Sequence, residues 1–314
     1  GAYLFVSIIP LVCVLGPTGI GKSQFALEFA QLNSGEIISA DSRQIYKGLN
    51  IGTATPNENE LKSVPHHLIN SLDPDKEYGL AHFLEIAKTR IHEIQNRGNL
   101  PIVVGGTSQY VFALINNWNV PKIAPDKEFR KQLEAKAHTH GSLSIYEDLV
   151  AQDPEMAEAI DYRNVRRVIR ALEIKKYQPE SVNKSVGNNN FQAYSVAFTT
   201  SRDDLYKLID HRIDKMISDG WVKEVQKLID KGYDATLPSM SSIGYAEIIE
   251  HLTSGSKLED VIKKIKTKTH KLARNQYVWL RKADWIVWFE SSNNGHNQAH
   301  QYLNDQLKLH ASKG

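Results

Sequence analysis

Short apolar runs alternate with longer stretches of helical spacing through the first third of the chain. Leu11–Leu15 (LVCVL) is a five-residue apolar run stopped by a glycine-rich turn, the pattern of a buried strand. Lys22–Leu32 then sets Phe25, Phe29 and Leu32 on one helical face, and Glu36–Ala40 (EIISA) predicts a second strand running into Asp41-Ser42. His66–Ile69 predicts a short third strand. Leu80–Arg97 carries Phe83, Ile86, Ala87, Ile91 and Ile94 at helical spacing and stops near Gly98. Leu100–Val104 (LPIVV) is another strand, followed by Gly105-Gly106. Strands and helices alternating at these intervals predict an α/β fold: a parallel sheet covered on both faces.

The pattern changes after Trp118. From Ala124 to Gln178 only helical segments appear, punctuated by Gly141 and Pro154, and Ser185–Asn190 (SVGNNN) reads as a flexible connector. Tyr194–Thr199 returns to strand character. Leu205–Ile229 and Leu258–Arg281 predict two long helices, and Trp285–Phe289 (WIVWF) a last strand buried on both faces. The expected organisation is a discontinuous α/β core of residues 1–121 and 185–290, a helical insertion at 122–184, and a tail at 291–314 with no assigned role. No internal repeat is evident.

Composition narrows the class. Over 314 residues, 41% are hydrophobic, and 38 Lys and Arg stand against 36 Asp and Glu for a formal charge of +2. These are values of an ordinary globular protein. One cysteine, Cys13, excludes a disulfide framework and a Cys-rich zinc module, fits a reducing compartment, and reads as inert core packing. The longest apolar run, Ala2–Leu15, is broken by Ser7 and Pro10, too short for a membrane span, and lacks a secretory cleavage pattern. The expectation is a soluble, cytoplasmic, monomeric protein. Its charge is uneven: residues 163–176 carry six Lys and Arg against one Glu, and residues 257–282 nine against two. Such stretches suit a polyanion, although charge alone fits the solvated face of a helix slightly better, lysine-rich faces being common. The arginine cluster is the sharper signal, because guanidinium forks match phosphates.

Chemistry enters at residues 16–23. Gly16, Pro17, Thr18, Gly19, Ile20, Gly21, Lys22 and Ser23 match G-x-x-x-x-G-K-[ST] between a predicted strand and helix. Loop amides and the helix N-terminus would face an anion, Lys22 would add a full charge, and Ser23 would hold Mg²⁺. The strand LPIVV ends in Gly105-Gly106-Thr107 rather than the acid usual in a nucleotide hydrolase, while Asp41 ends an earlier strand. Strand C-terminal ends line the ligand crevice of a doubly wound sheet, so the loop, Asp41 and Thr107 should converge. By position alone, Asp41 is equally a helix cap or a proton acceptor.

With these residues in view, the chain resembles the tRNA dimethylallyltransferase (tRNA isopentenyltransferase) family over almost its whole length. The resemblance runs through GPTGIGKS (16–23), SADSRQIYKGLNIGTATP (39–56), VPHHLIN (64–70), VVGGTSQY (103–110), RNVRRVIRALEI (163–174), SSIGYAEI (241–248) and KLARNQYVWLRK (271–282). It implies a P-loop NTPase-like parallel sheet with a helical insertion. The implied reaction moves a dimethylallyl group from dimethylallyl diphosphate to N6 of the adenine 3′ of the anticodon in tRNA, with Mg²⁺. Asp41 falls on the family's proposed base, Thr107 on its channel threonine, and Lys22 and Arg212 on the diphosphate. Asp41, Ser42, Arg43 and Gln44 would contact the extruded adenine. Arg166, Arg167, Val168, Ile169 and Arg170 in the insertion would contact the anticodon stem-loop, and Lys271, Arg274 and Arg281 the tRNA backbone. Two departures stand out: Leu208 occupies the place of a common arginine, and Asn275 that of a basic residue. The alternatives are an isopentenyltransferase acting on free AMP, ADP or ATP, and more remotely a small-molecule kinase. His66-His67 reads as loop-positioning, since neighbours on extended chain face opposite ways. Trp279, Trp285, Trp288 and Phe289 read as core, and Tyr110 and Trp118 as either channel or packing.

Overall fold

Strand β1 (Ile9–Leu15) occupies the middle of a six-stranded parallel sheet of order β3-β2-β4-β1-β5-β6. The computed structural model describes residues 8–178 and 190–313. β1 is apolar throughout because both faces are covered, as expected in a parallel sheet. It pairs Val12 with Ile102 of β4 (Leu100–Val104) and with Tyr194 of β5 (Phe191–Thr199). Helix α1 (Lys22–Leu32) follows β1 and buries Phe25, Ala26, Phe29 and Ala30; Leu32, expected on that face, is exposed at the last turn. β2 (Gly35–Ser39) lies beyond β4, followed by α2 (Glu58–Ser63), β3 (His66–His67), α3 (Leu80–Asn96) and α4 (Ser108–Ile115). β3 is two residues long rather than the four expected, and α2 and α4 carry no signal strong enough to predict.

The chain divides into two units, Gly1–Asn117 with Asn188–Gly314, and Trp118–Gly187. The second unit holds α5 (Lys127–His140), α6 (Ser142–Gln152), α7 (Pro154–Glu158) and α8 (Val165–Tyr177) around Ile145, Leu149, Val168, Ile169 and Leu172. The expected connector at 185–190 lies, but for Asn190, outside the described residues.

After β5 the single helix expected over Leu205–Ile229 is two: α9 (Arg202–Ser218) and α10 (Trp221–Asp230). Gly220 between them has φ of 101°, a left-handed turn that ends one helix and opens the next. α11 (Tyr245–Ser254) and α12 (Leu258–Leu280) lead to β6 (Ile286–Glu290). β6 is an edge strand, not one buried on both faces; Trp285 precedes it and only Ile286 is fully covered. Trp285 and Trp279 instead set their rings 5.0 and 5.8 Å from that of Phe112. The segment expected as a tail is helix α13 (Asn293–Ala311), which buries Ala299 and Leu303 and rests the His296 ring 4.7 Å from Phe198. Burial holds the His296 imidazole below its ordinary pKa, so it packs as a neutral aromatic ring. Among the described residues, no helix is long and apolar enough to cross a membrane.

One buried acid braces the sheet at the end opposite the crevice. Glu36 is 3% exposed and accepts from Arg97 Nε and Nη2 (3.0 and 2.7 Å), Asn99 Nδ2 (2.7 Å) and His67 Nε2 (2.6 Å). His67 therefore ties β3 to β2. Burial opposes the charged form, but these partners outweigh it and hold the Glu36 carboxyl down at about 2. Glu36→Ala is expected to cost about 3 kcal/mol, because it strips the partners of a buried anion. The contribution is complete above the ordinary carboxyl value of 4.5 and lost as pH falls toward 2. Denaturant melts of both proteins at pH 7 and pH 3 check it: the gap should narrow at pH 3.

Candidate active site

The phosphate loop joins β1 to α1 at the centre of the sheet, with Gly16, Gly19 and Gly21 all at positive φ. It borders a cavity of about 160 Å³ whose walls include Thr18, Lys22, Ser23, Asp41, Gln44, Arg212 and Gln276. Sequence reasoning named all of these except Gln276. Lys22 reaches inward and donates to Pro17 O (3.3 Å). Burial pushes its ammonium down to about 8, Arg212 adds to the push, and Asp41 opposes it. Arg212, from α9, donates to Thr18 Oγ1 (3.5 Å), and burial lowers its pKa against the pull of Asp41. Two cations thus share the wall of a single small space with the carboxylates of Asp41 and Glu60, an arrangement suited to an anionic ligand next to a group that sheds a proton.

Asp41 stands two residues beyond β2, where the strand's C-terminal end opens onto the crevice. Its Oδ1 accepts Arg43 N (2.7 Å) and Gln44 N (3.3 Å), an Asx turn. Of the two sequence-based alternatives the capping one is met in part: one oxygen caps a turn rather than a helix. Among the described residues, Oδ2 has no hydrogen-bond partner. The turn is fixed against β4: Ser42 N donates to Thr107 Oγ1 (3.2 Å) and Thr107 N to Ala40 O (3.3 Å). Gly105 permits this approach, since a Cβ there would sit 2.2 Å from Ala40 O. Thr107, expected in the reaction channel, lies outside the cavity wall and braces the Asp41 turn.

Gln276, on α12, bridges the two loops. Its Oε1 accepts Thr18 N (2.8 Å) and its Nε2 donates to Gly106 O (2.7 Å). The signal in sequence is an uncharged Asn275-Gln276 pair in a basic helix, too slight to single out Gln276. Gln44 has both amide donors committed, to Thr53 O (3.1 Å) and Ala54 O (3.2 Å), while its Oε1 accepts Ser39 Oγ (2.7 Å). It therefore shapes the 53–54 loop. Glu224 anchors the residues just before: its carboxylate accepts Asn50 N (3.1 Å), Ile51 N (2.8 Å) and Gly52 N (3.4 Å), and Tyr245 Oη at 2.6 Å.

Other predicted contacts fare differently. Arg43 donates to Pro238 O and stands outside the cavity wall. In the helical unit, Val168 and Ile169 are sealed in the core at 0% and 3% exposure, so their side chains are withdrawn from any ligand. Arg170 pairs with the fully buried Glu173, which Arg130 also holds, and donates to Ile123 O (3.1 Å). It is a structural cation. Arg166 and Arg167 are exposed and, among the described residues, unpaired. On α12, Arg274 donates to Tyr206 Oη (2.6 Å) and Lys271 is exposed with no partner among the described residues; just past the helix, the Arg281 guanidinium lies 5.3 Å from the Tyr277 ring. Lys264, Lys266 and Lys268 of that basic stretch are paired with Glu250, Asp214 and Glu247. Leu208 is exposed, and so is Asn275. Tyr110 is buried against Phe83 and lies outside the cavity wall, as does Trp118. Cys13 is fully buried, with its thiol pushed up to about 12 by burial.

Residues 44–283 match the family model described as IPP transferase, and residues 9–72 one described as isopentenyl transferase. The chain is 39% identical over 308 residues to the tRNA dimethylallyltransferase of Thermomicrobium roseum, covering 97% of this chain and 94% of that one. It is 40% identical over 283 residues to that of Acetivibrio thermocellus, covering 88% and 90%. The crystal structure of a full-length tRNA isopentenylpyrophosphate transferase from Bacillus halodurans is similar with TM-score 0.69 and 35% identity, over 96% of this chain and 98% of that one. A eukaryotic dimethylallyltransferase acting on tRNA is similar with TM-score 0.77 and 30% identity, over 91% and 74%.

Proposed function

Because the chain belongs to the IPP transferase family and is a prenyltransferase acting on tRNA, we propose how its own residues divide the reaction. A dimethylallyl group passes from dimethylallyl diphosphate to N6 of the adenine 3′-adjacent to the anticodon. The N6 lone pair forms the new bond to the allylic carbon as that carbon's bond to the diphosphate oxygen breaks. The electron pair leaves with diphosphate, and the N6 proton passes to Asp41. The observation that carries this reading is the unpartnered Oδ2 of Asp41 in one cavity with Lys22 and Arg212.

An exocyclic adenine amine is a weak nucleophile, since its lone pair is conjugated with the ring. A carboxylate accepting its proton as the bond forms is worth about a hundredfold to ten-thousandfold in rate. The allylic carbon gains positive charge as the diphosphate departs, so Lys22, Arg212 and the loop amides act where negative charge grows. Gln276 holds Thr18 and Gly106 in register, and Thr107 holds the turn that aims Asp41. The target base lies in the anticodon loop and is extruded to reach this cavity. Arg166 and Arg167, exposed and without a partner among the described residues, are offered to tRNA phosphates from the helical unit, and Lys271 from α12.

The donors also suit Mg²⁺. Among the described residues, no three His, Cys, Asp or Glu side chains cluster. Mg²⁺ takes few protein oxygens and would fill its shell with diphosphate and water. Ser23 Oγ, at the first turn of α1, would hold it, and bound there it would neutralise diphosphate charge.

Incubation with radiolabelled dimethylallyl diphosphate should put label on an unmodified tRNA transcript and none on AMP. Label on AMP alone would overturn the tRNA assignment.

A further inference from the structure

Helix α10 shows how geometry can change a charge count. Residues 221–231 carry three lysines, one Glu and one Asp, so in sequence the segment is nearly balanced. In the fold the acids have other partners, with Glu224 and Asp219 lining the same cavity as the lysines. Glu224 is spent on the backbone amides of residues 50–52 and on Tyr245, and Asp230 accepts from Gln226 (2.8 Å). Asp219, one turn before, is held by Lys215 at 2.9 Å. Lys223, Lys227 and Lys231 are exposed and, among the described residues, have no ion-pair or hydrogen-bond partner. They recur every four residues, about 6 Å apart along one face, a separation comparable to that of successive phosphates on a nucleic-acid strand.

These lysines line a cavity of about 360 Å³ whose opposite wall is the loop at Gly48, Asn50 and Ile51. Asn50, Ile51 and Asp219 also line a larger groove of about 680 Å³. That groove in turn shares Ala54, Pro56 and Arg212 with the phosphate-loop cavity. Three adjoining hollows thus run along residues 48–56, from Lys22 and Asp41 to the lysine face. Asn70 lines the middle one, and its buried side-chain oxygen has no partner among the described residues.

We infer that this path carries the single strand flanking the target adenine, with Lys223, Lys227 and Lys231 binding its phosphates. The inference rests on the tRNA reading above and adds a second set of cations for tRNA phosphates to the arginines proposed there. Free lysines facing a walled cavity that leads to the reacting groups suit a phosphate backbone better than they suit solubility alone.

The triple variant K223Q/K227Q/K231Q and the reversal K223E/K227E/K231E test it, with unmodified tRNA transcript and dimethylallyl diphosphate as probes. Binding is measured between 50 and 200 mM salt. Removing three single-strand phosphate contacts should lower the slope of log affinity against log salt by about 2. KM for tRNA should rise about tenfold or more in the Gln variant and further in the Glu variant. Donor affinity and kcat at saturating tRNA should match the native enzyme. An unchanged salt slope, or a fall in kcat or donor affinity without a rise in KM for tRNA, would overturn the inference. Failure of the native enzyme to bind and prenylate tRNA would instead strike the underlying reading, and that control is run first.

Discussion

Asp41→Asn should lower kcat by about a hundredfold to ten-thousandfold, the range associated with losing a positioned base. Melting temperature and donor affinity should stay as in the native protein. Asparagine is the informative replacement because of how the two carboxylate oxygens are used. Oδ1 accepts Arg43 N and Gln44 N, and an asparagine carbonyl oxygen can keep both bonds. What disappears is the proton acceptor at the other position. Asp41→Ala also loses the turn, and through Gln44 it should disturb the 53–54 loop, so its larger effect would mix two causes. Single-turnover prenylation of tRNA by the Asn variant separates them. A residual rate above a tenth of native would remove Asp41 as the base.

Lys22→Met should stabilise the empty enzyme while disabling it. Burial lowers the Lys22 ammonium from 10.5 to about 8, so the unfolded chain binds the proton more tightly than the folded one. Stability therefore rises with pH between 8 and 10.5, and below 8 the buried cation costs up to about 3 kcal/mol. Methionine fills similar volume without charge and relieves that cost. Affinity for the diphosphate donor should fall about a hundredfold or more, as when a buried charge partner is removed. In the native enzyme, donor affinity should weaken as pH rises through about 8, whereas the variant should show no such step. Thermal melts and donor titrations from pH 6 to 10 provide the check. A variant no more stable than native, or one that binds donor normally, would show that Lys22 carries neither burden.

What could be read in sequence was what is contiguous. The phosphate loop is eight consecutive residues between an apolar run and a helix, so motif and context coincide. Asp41 is expected at the crevice because strand ends in an alternating fold point one way; Thr107, expected there by the same rule, stands just outside the cavity wall and braces the Asp41 turn. Gln276 and Glu224 were not found, because they act across 258 and about 170 residues on backbone amides, and nothing local marks them. Arg170 misled for a related reason: summing charge over residues 163–176 cannot show that Glu173, three residues on, turns inward and takes it along. Helix α13 was missed because its packing face uses His296 and His300 beside Ala299 and Leu303. Burial holds both imidazoles below their ordinary pKa, so they rest against Phe25 as aromatic rings. Counted as polar residues, they conceal an amphipathic face. The break at Gly220 lay within an apolar repeat that continues on either side, and so one helix was expected where two form.

The position of β1 has a consequence for how the protein comes into being on the ribosome. This strand is made before both of its neighbours, β4 and β5, which begin at Leu100 and Phe191. At about 5–20 residues per second, the second neighbour emerges on the order of ten seconds or more after β1. Throughout that interval one of the most apolar segments of the chain has a bare hydrogen-bonding edge, while the helical unit, built from neighbours in sequence, can already condense. Nascent chains stalled between residues 120 and 190 should therefore be the aggregation-prone species and the natural clients of holding chaperones.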